Sequence, residues 1–414
     1  MSSSPSSGAA DSPARATVVG VVAAATAAQV ACVMGAAIFP VIALPLAAEL
    51  DADPALIGYQ MSIIYAAATF GAPWLSVMVA RWGACRGTQV GLAFAVAGAL
   101  CALVPAVPAL ILASILIGFS ITTMTPTSVH LLMRYTPVEH RSLLFSLKQT
   151  GVPLAWAVMA AVAPAIAQTL GWRWAVAIVI LSAGLLALAL QPVRAQWDDD
   201  RHEQAANGSG ALEGLRVMWR HPTLRRMAVA TFCLSFVQLC LGTFAVTTLV
   251  KEAGYSLVAA GFLLSVTQLA GVTGRILWGW VADRTGASLR LVRNLAIVSM
   301  VCCPLMTLID AATPPALVTV YFFVFGITAV GWNGVFLAEI ARRSPPGLAG
   351  VTSGGASVWT YGGILVGPAV FASLCRALGS YGETFVLLGL VGIAATVSLM
   401  MAMASAQRDG ADAC

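Results

Sequence analysis

The chain has 414 residues, of which 59% are hydrophobic and 9% charged, with a mean hydropathy of +0.88 and a formal net charge of +5. Soluble globular proteins carry about 25% charged residues, so this chain has too little polar surface to cover itself in water. The class that remains is a polytopic helical membrane protein.

In chain order, a Ser-rich leader, MSSSPSSGAADSPARA, comes first. It is too polar to pack, and residues 1–16 are expected to form a disordered tail. Ser2 stands where myristoylation requires glycine. The apolar stretch that follows is about twice as long as the h-region of a signal peptide. Apolar runs then predict spans at 17–46, 55–80, 88–106, 107–132, 142–170 and 174–193, and, after a break, at 226–250, 257–282, 290–310, 314–340, 347–377 and 383–404. At 1.5 Å rise per residue each run is long enough for a hydrocarbon core of about 30 Å. The break, 194–225, is polar, charged and Gly-containing, which is the makeup of a linker, and residues 405–414 read as a second tail. The expected fold is an all-α membrane protein with twelve transmembrane helices in two six-helix bundles, 17–193 and 226–404.

Lys and Arg resist translocation, so their distribution sets orientation. With the N-terminus inside, only Arg173, Lys251 and Arg376 fall on the outer side, and the other 19 of the 22 basic residues lie on inner loops, tails and inner helix ends. Both termini are therefore expected in the cytoplasm, in a multi-pass protein of the inner membrane. The positive charge reflects topology rather than affinity for nucleic acid. Nine scattered cysteines with no C-x-x-C pair point to neither a disulfide framework nor a metal site. The cluster DDDRHEQ, Asp198 to Gln204, reads as solvated linker.

The two halves repeat one another. At an offset of 203, Gly58 meets Gly261, Gly71 meets Gly274, Arg81 meets Arg284 and Gly83 meets Gly286; at 208, Gly118 meets Gly326, Arg134 meets Arg342, Pro137 meets Pro345 and Gly171 meets Gly379. Parallel six-helix repeats leave such symmetry.

The stretch GRILWGWVADRTG, Gly274 to Gly286, resembles the loop motif of the major facilitator superfamily, G-x-x-x-D-R-x-G, here Gly279, Asp283, Arg284 and Gly286. In the first half the same site reads SVMVARWG, with Ser76 for the glycine and Ala80 for the aspartate. The phrase SLKQTGVPLAW, followed by GWRW ending at Trp174, is similar to the fifth helix of bacterial members. The resemblance covers residues 17–404. It implies a secondary transporter that works by alternating access about a midplane site, with a cavity lined by helices one, four, seven and ten, helped by two, five, eight and eleven. For Asp283 and Arg284 it implies a place in the cytoplasmic gate.

Polar side chains at mid-span are costly in hydrocarbon unless they face a partner or a watery cavity. Gln29, Tyr65, Gln238, Gln268 and Tyr361 lie near the centres of spans one, two, seven, eight and eleven, and Thr125 and Asn333 match one another at offset 208. All are candidate substrate contacts; the competing reading is interhelical packing. Trp156, Trp332 and Trp359 are candidate stacking surfaces. Lys148, one of two lysines in the chain, sits with Gln149 roughly 9 Å inside the start of span five. Three readings stay open for it: snorkelling to the interface, a gate ion pair with Asp283, and contact with an anionic substrate.

Acids are as informative by their absence. Between the helix ends, spans one, two, four, five, seven and eleven contain no Asp or Glu. Glu339 stands beside Arg342 and Arg343 at helical ion-pair spacing. A cavity with a cation and no acid favours an anionic substrate, organic or inorganic. A multidrug or cation exporter of the same fold is the alternative, and a non-transporting receptor or assembly protein is the alternative from another class. No G-x-x-x-x-G-K-S/T, H-E-x-x-H or G-x-S-x-G pattern occurs, so neither an enzyme nor a cofactor is expected. Expected partners are a small-molecule substrate and the lipid bilayer, with a co-transported proton or ion left open and the chain monomeric. Reporter fusions after Leu190 and after Ser405 should both score cytoplasmic; a periplasmic score at either overturns this topology.

Overall fold

A computed structural model describes residues 15–136, 141–199, 210–345 and 348–411. In hydrocarbon a backbone must satisfy its own polar groups, and an apolar run does so as a helix. Among the described residues there are sixteen α-helices: α1 (Arg15–Glu49), α2 (Ile57–Trp82), α3 (Ala84–Ala102), α4 (Val107–Tyr135), α5 (Arg141–Gln149), α6 (Gly151–Thr169), α7 (Trp172–Ala189), α8 (Arg194–Trp197), α9 (Gly210–Arg220), α10 (Pro222–Lys251), α11 (Leu257–Thr285), α12 (Ser288–Leu305), α13 (Pro315–Ala329), α14 (Asn333–Arg343), α15 (Ala349–Leu378) and α16 (Tyr381–Ala411). They supply twelve segments long and apolar enough to cross a membrane.

Spans five and ten depart from the expectation of continuous helices. Span five is interrupted at Thr150 between α5 and α6, and span ten at 330–332 between α13 and α14. Both breaks have local causes. Pro153 has no N–H, so the carbonyl four residues earlier, on Gln149, loses its helical donor. At Gly331 a side chain would collide with the chain itself, since a Cβ there would lie 2.4 Å from the Ile327 carbonyl oxygen.

The chain starts α1 and ends α16 on one side of the bundle, here the near side; α1 ends and α2 begins on the far side. The offset glycines occupy equivalent contacts in the two halves. A Cβ on Gly118 of α4 would lie 2.3 Å from the Ile64 carbonyl oxygen of α2, and one on Gly326 of α13 would lie 2.2 Å from that of Thr267 on α11. Two carboxylates repeat the same way. Glu49 accepts from the Trp172 indole N–H at 2.7 Å and from Arg173, whereas Glu252, 203 positions on, accepts from the backbone N–H groups of Tyr381 and Gly382 at 2.6 and 2.7 Å. Each fastens the far end of a half's first helix to the start of its sixth span.

The halves meet through α2 against α15 and α6 against α11. The tightest contacts are on the far side. A Cβ on Gly58 would lie 2.2 Å from the Pro368 carbonyl oxygen, and one on Gly261 would lie 2.4 Å from that of Ala160. The Tyr59 hydroxyl lies 2.7 Å from that of Ser373, Ser62 donates to the Leu365 carbonyl at 2.7 Å, and Arg376 faces Asp53 at 3.8 Å. On the near side none of α5, α8, α9 and α14 packs extensively on the opposite half among the described residues. Among the described residues the closest backbone approaches between the halves lie toward the far side.

The linker and the tail contain helices. Residues 194–225 contain α8, α9 and the start of α10, and α16 runs through most of the expected tail, to Ala411. The solvated reading of Asp198 fails. Its carboxylate is 5% exposed and accepts from the N–H groups of Cys85 and Arg86 at 2.7 and 3.0 Å, satisfying donors that the start of α3 leaves orphaned. Asp199 pairs with Arg134 at 2.5 Å. Helix α9 lies against α15, with the Trp219 and Trp359 rings stacked at 5.8 Å. Residues 200–204 of the acidic cluster, like 1–14 and 412–414 of the tails, lie outside the described residues. Asp198→Ala should cost about 1–3 kcal/mol by leaving buried N–H groups unpaired, and Asp199→Ala less than about 1 kcal/mol as an exposed pair. Thermal unfolding of the purified variants measures both.

Candidate functional site

Two of the candidates come together where span five breaks. With residue 153 unable to donate, the Gln149 carbonyl is free to turn outward, and it accepts Arg275 Nη1 of α11 at 2.9 Å. Lys148 is 3% exposed, on the α1 side of α5 near Cys32. Its Nζ stands 3.5 Å from Gln149 Oε1, at the outer limit of a hydrogen bond. Gln149 thus touches two cations, one from each half of the protein.

Arg275 was missed in the sequence because its place beside the loop motif counts it among basic residues at an inner helix end. It lies ten residues from the end of α11, about 15 Å into the span. It is half-buried, and its Nε is buried without a hydrogen-bond partner. The signal was present: an arginine between Gly274 and the apolar pair Ile276 and Leu277 is a mid-span charge. Gln268, seven residues earlier on α11, falls on the same helical face and is buried.

The other candidates form separate contacts. Gln238 of α10 accepts at Oε1 from the Trp332 indole at 3.1 Å and from Asn333 Nδ2 at 3.0 Å. Trp332 is fully buried and held by a glutamine, the packing alternative to a stacking surface. Tyr65 on α2 is buried and Tyr361 on α15 half-buried, each within electrostatic reach of the other across the two halves. Gln29 is buried where α1 passes Gly151 of α6, with its Oε1 unpartnered. Thr125 on α4 is exposed. Trp156 lies buried against Gly242 of the opposite half, and Trp359 is covered by Trp219 of the linker helix.

At the near end of α11, Asp283 and Arg284 are exposed, and Arg284 lies over the Trp280 ring at 4.2 Å. Gly286 ends the helix in the left-handed conformation, φ +61°, and a side chain on Gly279 would meet open space. Of the three readings of Lys148, the gate ion pair with Asp283 is not made in this structure: among the described residues neither takes part in a salt bridge. Glu339 is 1% exposed and is neutralised by Arg342 and Arg343, both at 2.5 Å. A cavity of about 670 Å³ between α1, α5, α6 and α7 is apolar, and none of the candidate site residues lines it.

A twelve-span bundle of two like halves with polar residues at mid-span is the architecture of a membrane transporter. The chain belongs to the Major Facilitator Superfamily, whose family model matches residues 24–368. It is 27% identical over 190 residues to a protein of Bacillus subtilis described as "Probable galactarate/D-glucarate transporter", covering 44% of this chain and 40% of that one. It is 24% identical over 322 residues to the D-galactonate transporter of Escherichia coli, covering 69% and 72%. The chain spans 40% to 57% of the length of the first curated relatives it matches. Among solved structures, a peptide transporter in complex with alafosfalin superposes with a TM-score of 0.73 at 14% identity, over 94% of each chain, which is a likeness of fold.

Replacing Gln238 by Leu removes the acceptor shared by Trp332 and Asn333, leaving two interior donors unpaired. The expected cost is about 1–3 kcal/mol, read as a lower thermal unfolding midpoint.

Proposed function

We propose that this protein is a secondary transporter that moves a small organic anion across the cytoplasmic membrane by alternating access, with both termini in the cytoplasm. The observation that carries the reading is Lys148, a buried mid-bundle cation with no carboxylate partner among the described residues. A charge in a low-dielectric interior is retained when something pairs with it; here the partner is the cargo. The alternative of a cation exporter lacks the membrane-embedded acid that would attract its substrate, since Glu339 is already neutralised.

Two further observations support the same reading. The named relatives are described as a probable galactarate/D-glucarate transporter and a D-galactonate transporter, and such sugar acids are carboxylates at neutral pH. The closest backbone approaches between the halves, at Gly58 and Gly261, lie toward the far side, which leaves the near side as the route from the site to the cytoplasm. On this reading Gln29, Tyr65, Gln238, Gln268, Tyr361, Thr125 and Asn333 surround the path of the substrate, and Asp283 and Arg284 belong to the cytoplasmic gate.

The test is uptake of labelled galactonate, galactarate and tartrate by proteoliposomes. The parent should carry at least one of them. Lys148→Gln should lose about tenfold or more of the uptake, as expected for losing a charge-assisted contact, and Lys148→Arg should retain part. Thermal unfolding of the same variants checks that the bundle remains folded. If Lys148→Gln transports as well as the parent, the anion reading falls.

A further inference from the structure

The geometry points to a two-handed anion site in which Lys148 of the first half and Arg275 of the second grip the two carboxylates of one dianionic substrate, with Gln149 between them. This inference rests on the anion-transport reading and narrows its substrate class.

The inventory of donors and acceptors carries it. Lys148 offers three N–H donors and Arg275 five. Against these the described residues set two neutral oxygens, both on Gln149: Oε1 at 3.5 Å from Lys148 and the main-chain oxygen at 2.9 Å from Arg275. Arg275 Nε is buried and unpartnered, and among the described residues no salt bridge involves either cation. Two positive charges held on one residue in a membrane interior repel each other and have each lost hydration. A monocarboxylate would neutralise one and leave the other uncompensated. A dicarboxylate neutralises both, and its second carboxylate finds in Arg275 a planar fork suited to bidentate contact.

Position explains why the cations are divided between the halves. Lys148 is fixed on α5 and Arg275 on α11; α11 packs on α6, the second part of the same span, across the interface between the halves, and Arg275 reaches from there to the end of α5. The Gln149 carbonyl, freed by Pro153, is a neutral parking place for Arg275 when no anion is bound. A substrate carboxylate is the stronger acceptor and displaces it. Once both ends are held, the substrate ties α5 to α11, so it binds one arrangement of the halves better than another and shifts their balance.

Galactonate and galactarate are a monoacid and a diacid on the same six-carbon sugar skeleton, and their affinities for the purified full-length protein test the idea by ligand-induced thermal shift. The parent should bind galactarate about tenfold or more tightly than galactonate, the worth of one added charge-assisted contact. Arg275→Gln and Lys148→Gln should each reduce galactarate affinity by about 10- to 100-fold and abolish the preference, and the double variant should lose less than the product of the two. Arg275→Lys, which keeps the charge and loses the fork, should keep the preference at reduced affinity. Should Arg275→Gln fail to fold, Lys148→Gln and Arg275→Lys carry the same comparison. Equal binding of the two acids by the parent, or a preference that survives loss of either cation, overturns the two-handed grip. In that case anion transport still stands if uptake depends on Lys148. If neither acid binds and none of galactonate, galactarate and tartrate is carried, the anion reading falls and this inference falls with it.

Discussion

Every main-chain carbonyl inside the hydrocarbon needs a donor, and the centre of this protein is arranged around places where a helix stops supplying one. Pro153 takes the donor from Gln149, and Arg275 replaces it from another helix. Where α13 stops at Ala329, the Ile327 carbonyl takes the Trp278 indole of the same helix α11 at 2.7 Å. Both repairs cross between helices, so each break in a span becomes a contact in the bundle. One of them also brings a cation beside a lysine.

The far-side approach of the halves depends on a different economy of space. Gly58 and Gly261 lie over the carbonyls of Pro368 and Ala160, so main chains touch where any side chain would hold them apart. Inside each half the same device brings α4 to α2 through Gly118 and α13 to α11 through Gly326. In a lipid solvent there is little hydrophobic gain from helix association, and close backbone approach at small residues provides the dispersion contact that holds helices together. A duplicated chain therefore keeps its glycines in register even where its other residues have diverged.

Charge is handled differently at the ends and at the centre. At the ends, carboxylates have their answer within the protein: the exposed Glu49 in an indole and an arginine, the exposed Glu252 in two backbone N–H groups, and the buried Asp198 and Glu339 in the start of α3 and in two arginines. At Lys148 and Arg275 the sign is positive, and the described residues set only the neutral oxygens of Gln149 against them. A positive centre attracts anions and repels cations, which ties the electrostatics of the bundle to the class of solute proposed for it.

Twelve spans, the division into halves and the buried cation at Lys148 were legible in the residues alone, because each is a contrast of polarity within a local run and hydrocarbon penalises polarity strongly. The glycine offsets were legible too, but not the carbonyls those glycines cover. Arg275 was hidden by its neighbourhood, since a basic residue ten positions before a helix end reads as an anchor until the register of α11 against α5 sets its depth. Asp198 was hidden by the polar segment around it; burial came only when the linker folded back on α3. Pro153 was visible as a break in a helix, but which donor would claim the freed carbonyl depended on a helix more than a hundred residues away. Local polarity and periodicity are properties of neighbours in the chain. Pairing, depth and closure are properties of neighbours in space, and only the packed bundle assigns them.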